Sequence, residues 1–237
     1  MVTPLRVGIV GTGYVARTRA KVFQTDPRSQ LITLVGRNSE RTEAQCQEFD
    51  ISPSNSWEQL VNRDDLDLVV VATVNCDHAA IVQAALSAQK HVIVEYPLAL
   101  EIAEAKSLIQ LAQQQGRLLH VEHIELLGGL HQAIKRVLPE IGPVFHGQYS
   151  TLSAKHPAPQ KWTYQHSLFG FPLVGALSRL HRWIDLFGQV ETVNCHSRFW
   201  NTGGENSTSL NTDRYQACLC QAHLQFEMGP TMEIIYG

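Results

Sequence analysis

The first half of the chain alternates short apolar runs with helical patterns. Several of the runs are apolar at nearly every position, which is typical of strands that are buried on both faces of a parallel sheet. The predicted strands cover 5–10, 31–36, 66–73, 91–95 and 118–123, and the predicted helices cover 14–25, 39–49, 77–88 and 101–115. This order predicts an α/β doubly wound domain with helices on both sides of its sheet.

The turn after the first predicted strand carries a G-x-G-x-x-A pattern over residues 11–16. Glycines in such a turn let the backbone approach a pyrophosphate, which lies at the N-terminus of the next helix. The pattern alone is weak, and a plain turn would also explain it, but its place in a βαβ unit strengthens it. It predicts a Rossmann dinucleotide-binding domain whose cofactor contacts include Gly11, Thr12, Gly13, Tyr14 and Val15.

The segment Gly36-Arg37-Asn38-Ser39 after the second strand indicates which dinucleotide is bound. An acidic residue there would bind the ribose 2′-hydroxyl of NAD, and none is present. A guanidinium and a hydroxyl suit a 2′-phosphate, so we expect Arg37 and Ser39 to favour NADPH, with NADH as the second candidate. The alternative is a solvated helix start, with Ser39 as the N-cap.

Polar residues also follow the third and fourth strands, at the edge where such sheets bind ligands. We expect Thr73, Asn75 and His78 to face the cofactor, although helix capping would explain Asn75 equally well.

The fourth strand ends in Glu95-Tyr96-Pro97. A carboxylate and a phenol at the end of a buried strand cost desolvation energy unless they are used. We expect Glu95 to orient the carboxamide or ribose of the cofactor, and Tyr96 to lie beside the nicotinamide. The alternative for Glu95 is a carboxylate that caps the next helix.

The fifth strand brings His120, Glu122 and His123 to the same edge. Residues three apart on a strand point to opposite faces, and the H-E-x-x-H order is absent, so no metal site is predicted. We expect His120 or His123 to donate a proton or to form a polar wall of the site. His123 could equally be a hydrogen-bonded core histidine.

The second half has longer, partly alternating strands over 145–154, 190–200 and 215–228, with one helix over 172–187 and a polar loop over 201–212. Alternation is typical of antiparallel strands with one open face. We therefore predict a dinucleotide-binding domain over 1–123 and a substrate-binding α+β domain over 124–237 with a large, mostly antiparallel sheet. The last run, 233–237, would form a bare apolar edge, so we expect this second domain to be truncated at its C-terminus.

Two arginines, Arg179 and Arg182, lie on one face of the helix predicted over 172–187. The helix is otherwise apolar, so this basic pair borders a buried face. We expect at least Arg179 to reach the substrate site. There it would bind an acidic group of the substrate or polarise the substrate. A snorkelling surface pair is the alternative.

Composition excludes several classes of function. The net charge of the 237 residues is −3 and the basic residues are scattered, which does not fit a nucleic-acid binder. No apolar run approaches the length of a membrane span. The five cysteines are odd in number and form no C-x-x-C, which favours a reducing cytoplasm. The sequence does not indicate an oligomeric state.

These features together resemble the glucose–fructose oxidoreductase and inositol dehydrogenase superfamily. In that family the fourth strand usually ends in Glu-Lys-Pro, and a later helix carries an Asp, a His four residues on and a second Asp three beyond. Here Tyr96 replaces the lysine, Ser178 the first Asp and Arg182 the His, whereas Asp185 matches. Arginine stays protonated and cannot act as a general base at neutral pH, so both proton-handling groups of a sugar dehydrogenase are missing.

The departures resemble the biliverdin reductases, and in particular their cyanobacterial branch. Glu-Tyr-Pro is typical of that family, and the similarity runs from Thr3 to Gly237 through the segments 118–134, 157–164, 169–179 and 185–188. It implies NAD(P)H-dependent reduction of biliverdin to bilirubin at the central methine bridge.

That reaction needs a hydride, a proton and cations for two propionates, but no base. We expect catalytic roles for Arg179, Tyr96, His120 and His123, and bilin binding by Tyr96, His123, Arg179 and Arg182. The alternatives are a sugar or cyclitol dehydrogenase of the same superfamily and a non-catalytic protein that binds a bilin or a nucleotide.

Overall fold

The computed structural model describes residues 3–200, 206–207, 213–227 and 229–237. The chain divides into two compact units, Met1–Glu122 and His123–Gly237. This division falls one residue before the predicted boundary, so His123 belongs to the second unit.

The first unit contains a parallel sheet, as predicted, with the strand order β3-β2-β1-β4-β5-β6. The strands are β1 (Leu5–Val10), β2 (Ser29–Val35), β3 (Ser52–Pro53), β4 (Leu68–Val71), β5 (His91–Glu95) and β6 (Leu119–Glu122). The helices are α1 (Tyr14–Thr25), α2 (Ser39–Phe49), α3 (Trp57–Val61), α4 (His78–Ser87) and α5 (Ile102–Gln115). This strand order is that of dinucleotide-binding sheets.

Strand β4 shows why the sheet is covered on both faces. Its residues Leu68 and Val70 pack in the same cluster as residues of α1 and α2, whereas Val69 and Val71 pack with residues of α4 and α5. Successive strand residues point to opposite faces, so each face of the sheet has its own layer of helices. The near-continuous apolar run of this strand follows from that arrangement.

Helix α2 begins as predicted, but its cap is Asn38 and the prediction of Ser39 as N-cap was wrong. The side-chain Oδ1 of Asn38 accepts the backbone N–H of Arg41 at 2.8 Å. Asn38 has the extended backbone of a cap, and Ser39 is already the first helical residue.

The second unit contains a mixed, mostly antiparallel sheet in the order β7-β11-β10-β8-β9. Its strands are β7 (His146–Thr151), β8 (Val190–Trp200), β9 (Asn206–Ser207), β10 (Ala217–Phe226) and β11 (Thr231–Tyr236). Its helices are α6 (Gly129–Val137), α7 (His166–Phe169) and α8 (Leu177–Phe187). Only the β7–β11 pair is parallel among the described pairs of this sheet. Within the polar loop predicted over 201–212, residues 206–207 pair with β8, and the rest lies outside the described residues.

The helix predicted over 172–187 has two parts. Residues Pro172–Ala176 form a 3₁₀ segment, and the α-helix begins at Leu177. Gly175 lies in the first part, where a Cβ atom would clash with the ring of Tyr236. Glycine is a poor helix former, which fits the late start of α8.

Strand β11 was expected to form a bare edge, and that prediction was wrong. All six of its residues pair with β7 on one side and with β10 on the other. Met232 and Ile234 are buried in a cluster that includes Trp183 of α8. The strand therefore lies inside the sheet.

Candidate active site

The turn between β1 and α1 has the geometry that a dinucleotide pyrophosphate requires. Gly11 has a φ of +132°, and a Cβ atom there would clash with the backbone carbonyl of Ala72 after β4. Gly13 precedes α1, and Tyr14 is 87% exposed at the first turn of that helix. The backbone N–H groups of this helix start are thus presented beside a glycine turn, as anion binding needs.

Residue Thr12 of this turn is held by α2. The side-chain Nε2 of Gln45 donates to the Thr12 carbonyl at 2.8 Å. The Thr12 side chain lies so close to Gly36 that a Cβ on Gly36 would clash with it. The structure thereby brings the glycine turn next to exposed Arg37 and Ser39. Gln45 was missed because nothing in its local pattern distinguishes it from an ordinary helix residue.

Residues Thr73, Asn75 and His78 follow β4, but the imidazole of His78 is fully buried. Its Nδ1 lies 2.7 Å from the Pro97 carbonyl and its Nε2 lies 3.4 Å from the Thr73 carbonyl. Burial lowers the pKa of His78. The ring ties the segments after β4 and β5 together, so direct contact of His78 with a cofactor does not fit this placement. Asn75 is buried as well, whereas Thr73 is half-buried.

The carboxylate of Glu95 is paired with Arg19, a residue of α1 that the sequence analysis missed. Arg19 donates from Nε and Nη2 to Glu95 Oε1 at 3.0 and 2.9 Å, and its Nη2 lies 3.3 Å from Glu122 Oε2. Register pairs Glu95 with Glu122 across β5 and β6, so both carboxylates share one cation. Burial raises the pKa of Glu95. The alternative that Glu95 caps the next helix is wrong, because Glu101 is the N-cap of α5.

Tyr96 directly follows β5, whereas His120 lies within β6, opposite Ile93. Tyr96 is half-buried directly after β5 and precedes Pro97 through a cis peptide bond. The His120 side chain is 46% exposed, and its Nε2 lies 3.4 Å from Glu122 Oε2. Tyr96 therefore lies at the carboxyl edge, where the glycine turn also lies, whereas His120 lies two residues before the end of β6.

The second unit holds the two predicted arginines in a network of charges. Arg182 Nη2 lies 2.9 Å from Glu125 Oε2, and Arg179 Nε lies 3.8 Å from Glu125 Oε1. Arg179 also donates from Nε to the hydroxyl of Tyr149 at 2.8 Å and from Nη1 to the Gly175 carbonyl at 2.8 Å. Glu125 and Tyr149 are functional candidates that the sequence analysis missed, because they lie far from α8 in sequence.

His123 lies in this second unit, where its ring stacks on that of His181 of α8 at a centroid distance of 3.9 Å. The predicted catalytic residues therefore fall into two groups, with Tyr96 and His120 in the first unit and His123 and Arg179 in the second. No group of three or more metal-ligating side chains occurs among the described residues.

At the positions where the superfamily places its first Asp and its His, α8 carries no group that could accept a proton from an alcohol, and the matching Asp185 is engaged elsewhere. Ser178 is 1% exposed, and Arg182 is engaged by Glu125. Asp185 binds Lys135 at 2.9 Å and His131 at 2.7 Å, and Lys135 and His131 lower its pKa. The arrangement offers fixed cations instead of a base.

Known proteins with a similar sequence or structure include three biliverdin reductases. The crystal structure of the Synechocystis sp. PCC 6803 enzyme with biliverdin and NADP+ superposes with a TM-score of 0.92 and 52% identity, over 99% of this chain and 72% of that one. Biliverdin reductase A of Mus musculus is 31% identical over 188 residues, and that of Homo sapiens 30% over 190 residues. Each of these two alignments covers 79% of this chain and 60% of the relative.

Other solved structures superpose at 19–24% identity and share the fold. Within the part of the chain that the structure describes, no helix is long and apolar enough to cross a membrane. Residues 5–123, half of the chain, match a family described as oxidoreductases with an NAD-binding Rossmann fold. The glycine turn, the parallel sheet and these similarities agree, and the chain belongs to that oxidoreductase family.

Proposed function

We propose that this protein reduces biliverdin to bilirubin with NADPH as the hydride donor. The observation that carries the proposal is the 52% identity, over 99% of this chain, to the Synechocystis enzyme that was crystallised with biliverdin and NADP+. The chain spans 60% of the length of the Mus musculus and Homo sapiens relatives.

The site supports a reduction of this kind more than the oxidation of an alcohol. Hydride transfer to the central methine bridge needs a proton for a pyrrole nitrogen, but no group that removes a proton from a hydroxyl. The positions of the superfamily lysine and histidine hold Tyr96 and Arg182, and Arg182 is paired with Glu125. Arginine cannot act as a general base at neutral pH, which disfavours the sugar dehydrogenase alternative.

Within this proposal NADPH is bound at the glycine turn of the first unit. Arg37 and Ser39 are exposed next to that turn and suit the 2′-phosphate, and no acidic residue between them would repel it. NADH remains the second candidate, since the pyrophosphate contacts are the same for both cofactors.

The bilin is the proposed small-molecule partner, and its two propionates require cations. Arg179 and Arg182 supply positive charge in the second unit, and the ring of His123 in the same unit offers a flat surface for the pyrroles. We also propose a cytoplasmic location, because a reducing compartment suits the five cysteines, all of which are free.

Absorbance spectroscopy tests the proposal directly. Purified protein is mixed with biliverdin and NADPH, and the bilin and NADPH bands are followed together. Equimolar loss of both biliverdin and NADPH, with bilirubin appearing, is expected. Bilin binding without NADPH oxidation would indicate a non-catalytic binding protein. NADP+ reduction by sugars or cyclitols, with no reaction of biliverdin, would indicate the dehydrogenase alternative.

A further inference from the structure

The phenol of Tyr149 lies directly against the guanidinium of Arg179. Arg179 Nε donates to the Tyr149 hydroxyl oxygen at 2.8 Å, and its Cζ lies 5.2 Å from the centre of the Tyr149 ring. The guanidinium is fixed further by the bond from Nη1 to the Gly175 carbonyl. The ring of Tyr149 in turn packs edge-on against Trp183, with centroids 6.5 Å apart. Both side chains are therefore held in one arrangement.

The charges around this hydroxyl favour its ionised form. The hydrogen bond from Arg179 is the largest effect and lowers the pKa of Tyr149; partial burial and the Glu125 carboxylate oppose it, and the hydroxyl of Thr151 adds to it. Glu125 is itself shared with Arg182. A phenolate at Tyr149 would thus lie at hydrogen-bond distance from the Arg179 guanidinium, with the Glu125 carboxylate as the opposing charge.

A phenol in this setting is a better proton donor than the arginine beside it. Guanidinium ions have pKa values above about 12 and lose their proton too reluctantly for turnover at neutral pH. General acids work best when their pKa is closer to the operating pH, and a neighbouring cation moves a phenol in that direction. In this pair the phenol of Tyr149 can donate a proton, and Arg179 provides a permanent positive charge.

We infer that Tyr149 is the proton donor of the reduction and that Arg179 stabilises the phenolate left behind. The inference rests on the proposed function. Hydride leaves nicotinamide C4 with its electron pair and forms the new C–H bond at the methine carbon, and NADPH becomes NADP+. The O–H bond of Tyr149 breaks, and its proton forms the N–H bond on the adjacent pyrrole nitrogen. A proton from the solution then returns to the phenolate, and this is the proton that the overall reaction consumes.

The first test removes the hydroxyl of Tyr149 and keeps its aromatic ring. Tyr149→Phe should lower kcat for biliverdin at least about 100-fold, the usual contribution of a general acid, and leave the KM for NADPH unchanged. Tyr215→Phe is the matched control, because Tyr215 is buried in the same unit and its hydroxyl donates to the Thr163 carbonyl at 3.1 Å. The control should keep the wild-type kcat.

The second test separates proton donation from the positioning of Arg179. With Tyr149 as the acid, kcat falls as the pH rises through the pKa of the phenol. Site-specific Tyr149→3-fluorotyrosine keeps the hydrogen bond and makes the phenol more acidic, so this alkaline limb should move to lower pH. Arg179→Met removes the cation that favours the phenolate. The residual kcat of this variant should therefore decline at a higher pH than the wild-type kcat does.

Three results would contradict parts of this account, and they can be told apart. Wild-type kcat in Tyr149→Phe would overturn the inference. A lower kcat with an alkaline limb that 3-fluorotyrosine does not move would also overturn it, because Tyr149 would then act only by positioning Arg179. Absence of biliverdin-dependent NADPH oxidation in the unmodified protein would overturn the proposed function itself.

Discussion

Arg182 stands where the superfamily resemblance places a histidine, and Glu125 holds its guanidinium at 2.9 Å. Three residues earlier, Arg179 contacts the same carboxylate and the Tyr149 hydroxyl. For the individual residues of this site, the important difference is between groups with a permanent charge and groups that can release a proton. A permanent charge binds and polarises a substrate, whereas only a titratable group can transfer a proton.

Replacing Arg179 tests the role of that charge. Arg179→Ala should lower kcat and kcat/KM for biliverdin together, because a charge used as the transition state forms affects both equally. Affinity for NADPH should not change, since the glycine turn lies in the other unit. Arg179→Lys should restore little, because a lysine cannot make the Nε and Nη1 bonds simultaneously. Steady-state kinetics at saturating NADPH provide the measurement, and wild-type turnover in Arg179→Ala would remove Arg179 from the mechanism.

Arg37 is the residue on which we expect cofactor preference to depend. A charge-assisted hydrogen bond contributes about 1.5–3 kcal/mol, so Arg37→Ala should raise the Kd for NADPH about 10- to 100-fold. The Kd for NADH should remain near its original value, because NADH carries no 2′-phosphate. Calorimetric titration with both cofactors measures the two effects, with Ser39→Ala as the milder companion. An equal loss for both cofactors would show that this loop does not bind the 2′-phosphate.

At the scale of elements, Arg19 joins α1 to β5 and β6 through two carboxylates. The side chains of Glu95 and Glu122 are largely buried, and their pairing across neighbouring strands leaves them side by side. Two buried carboxylates with one cation have an excess negative charge, which agrees with the raised pKa of Glu95. The group stabilises the contact between the first helix and the end of the sheet.

Removing the shared cation should destabilise the protein in a pH-dependent way. Arg19→Met takes the shared cation away from two largely buried carboxylates and should lower the free energy of unfolding at pH 7 by about 2–3 kcal/mol. The loss should be smaller at pH 5 than at pH 7, because burial raises the pKa of Glu95 and so favours protonation of this carboxyl as the pH falls. Urea denaturation at both pH values measures it, and a loss that is the same at pH 5 and pH 7 would argue against this cause.

Glu95→Gln is the matched control, because it leaves a simple pair of Arg19 and Glu122. In the unmodified protein the pKa of Glu95 is higher in the folded than in the unfolded state, since burial raises it. Its contribution to stability is therefore present below the unfolded pKa and is lost as the pH rises through the folded pKa. In Glu95→Gln the free energy of unfolding should no longer fall as the pH rises through this range. At pH 7 it should equal or slightly exceed that of the unmodified protein.

The sequence predicted the elements whose buried positions recur regularly within one segment. It missed residues whose partners lie far away along the chain. The parallel sheet was predicted because β4 is apolar on both faces, and the glycine turn because its spacing is specific. Helix α6 was missed, since it is short and several of its apolar residues, such as Leu130, are exposed. Arg19, Glu125 and Tyr149 were missed because each acquires its role only from a partner on another element.

At the scale of the whole molecule, the residues predicted to bind the cofactor and those predicted to bind the bilin fall in different units. Both apolar clusters around the parallel sheet consist of residues from the first unit alone. The glycine turn, Gln45 and the segment after β2 are also part of that unit. The core of this unit and the residues predicted to bind the cofactor therefore lie within the first unit.

We expect the segment 1–122, expressed alone, to fold and to bind NADP+ with a Kd comparable to that of the longer chain. Circular dichroism and calorimetric titration measure folding and binding. The same segment carrying Arg37→Ala is the control for a specific site and should bind NADP+ more weakly. An unfolded segment, or one without affinity for NADP+, would show that the second unit contributes to the cofactor site.

The interior position of β11 has a consequence for protein synthesis. Thr231 pairs with His146, so β7 emerges from the ribosome about 85 residues before the strand that flanks it. Each βαβ segment of the first unit can fold soon after it is synthesised. Pairing of β7 with β11 closes a much longer segment, which costs chain entropy, and it cannot occur until β11 has been made. A nascent chain arrested before β11 should therefore have a protease-resistant first unit and a β7 that is still cleaved rapidly.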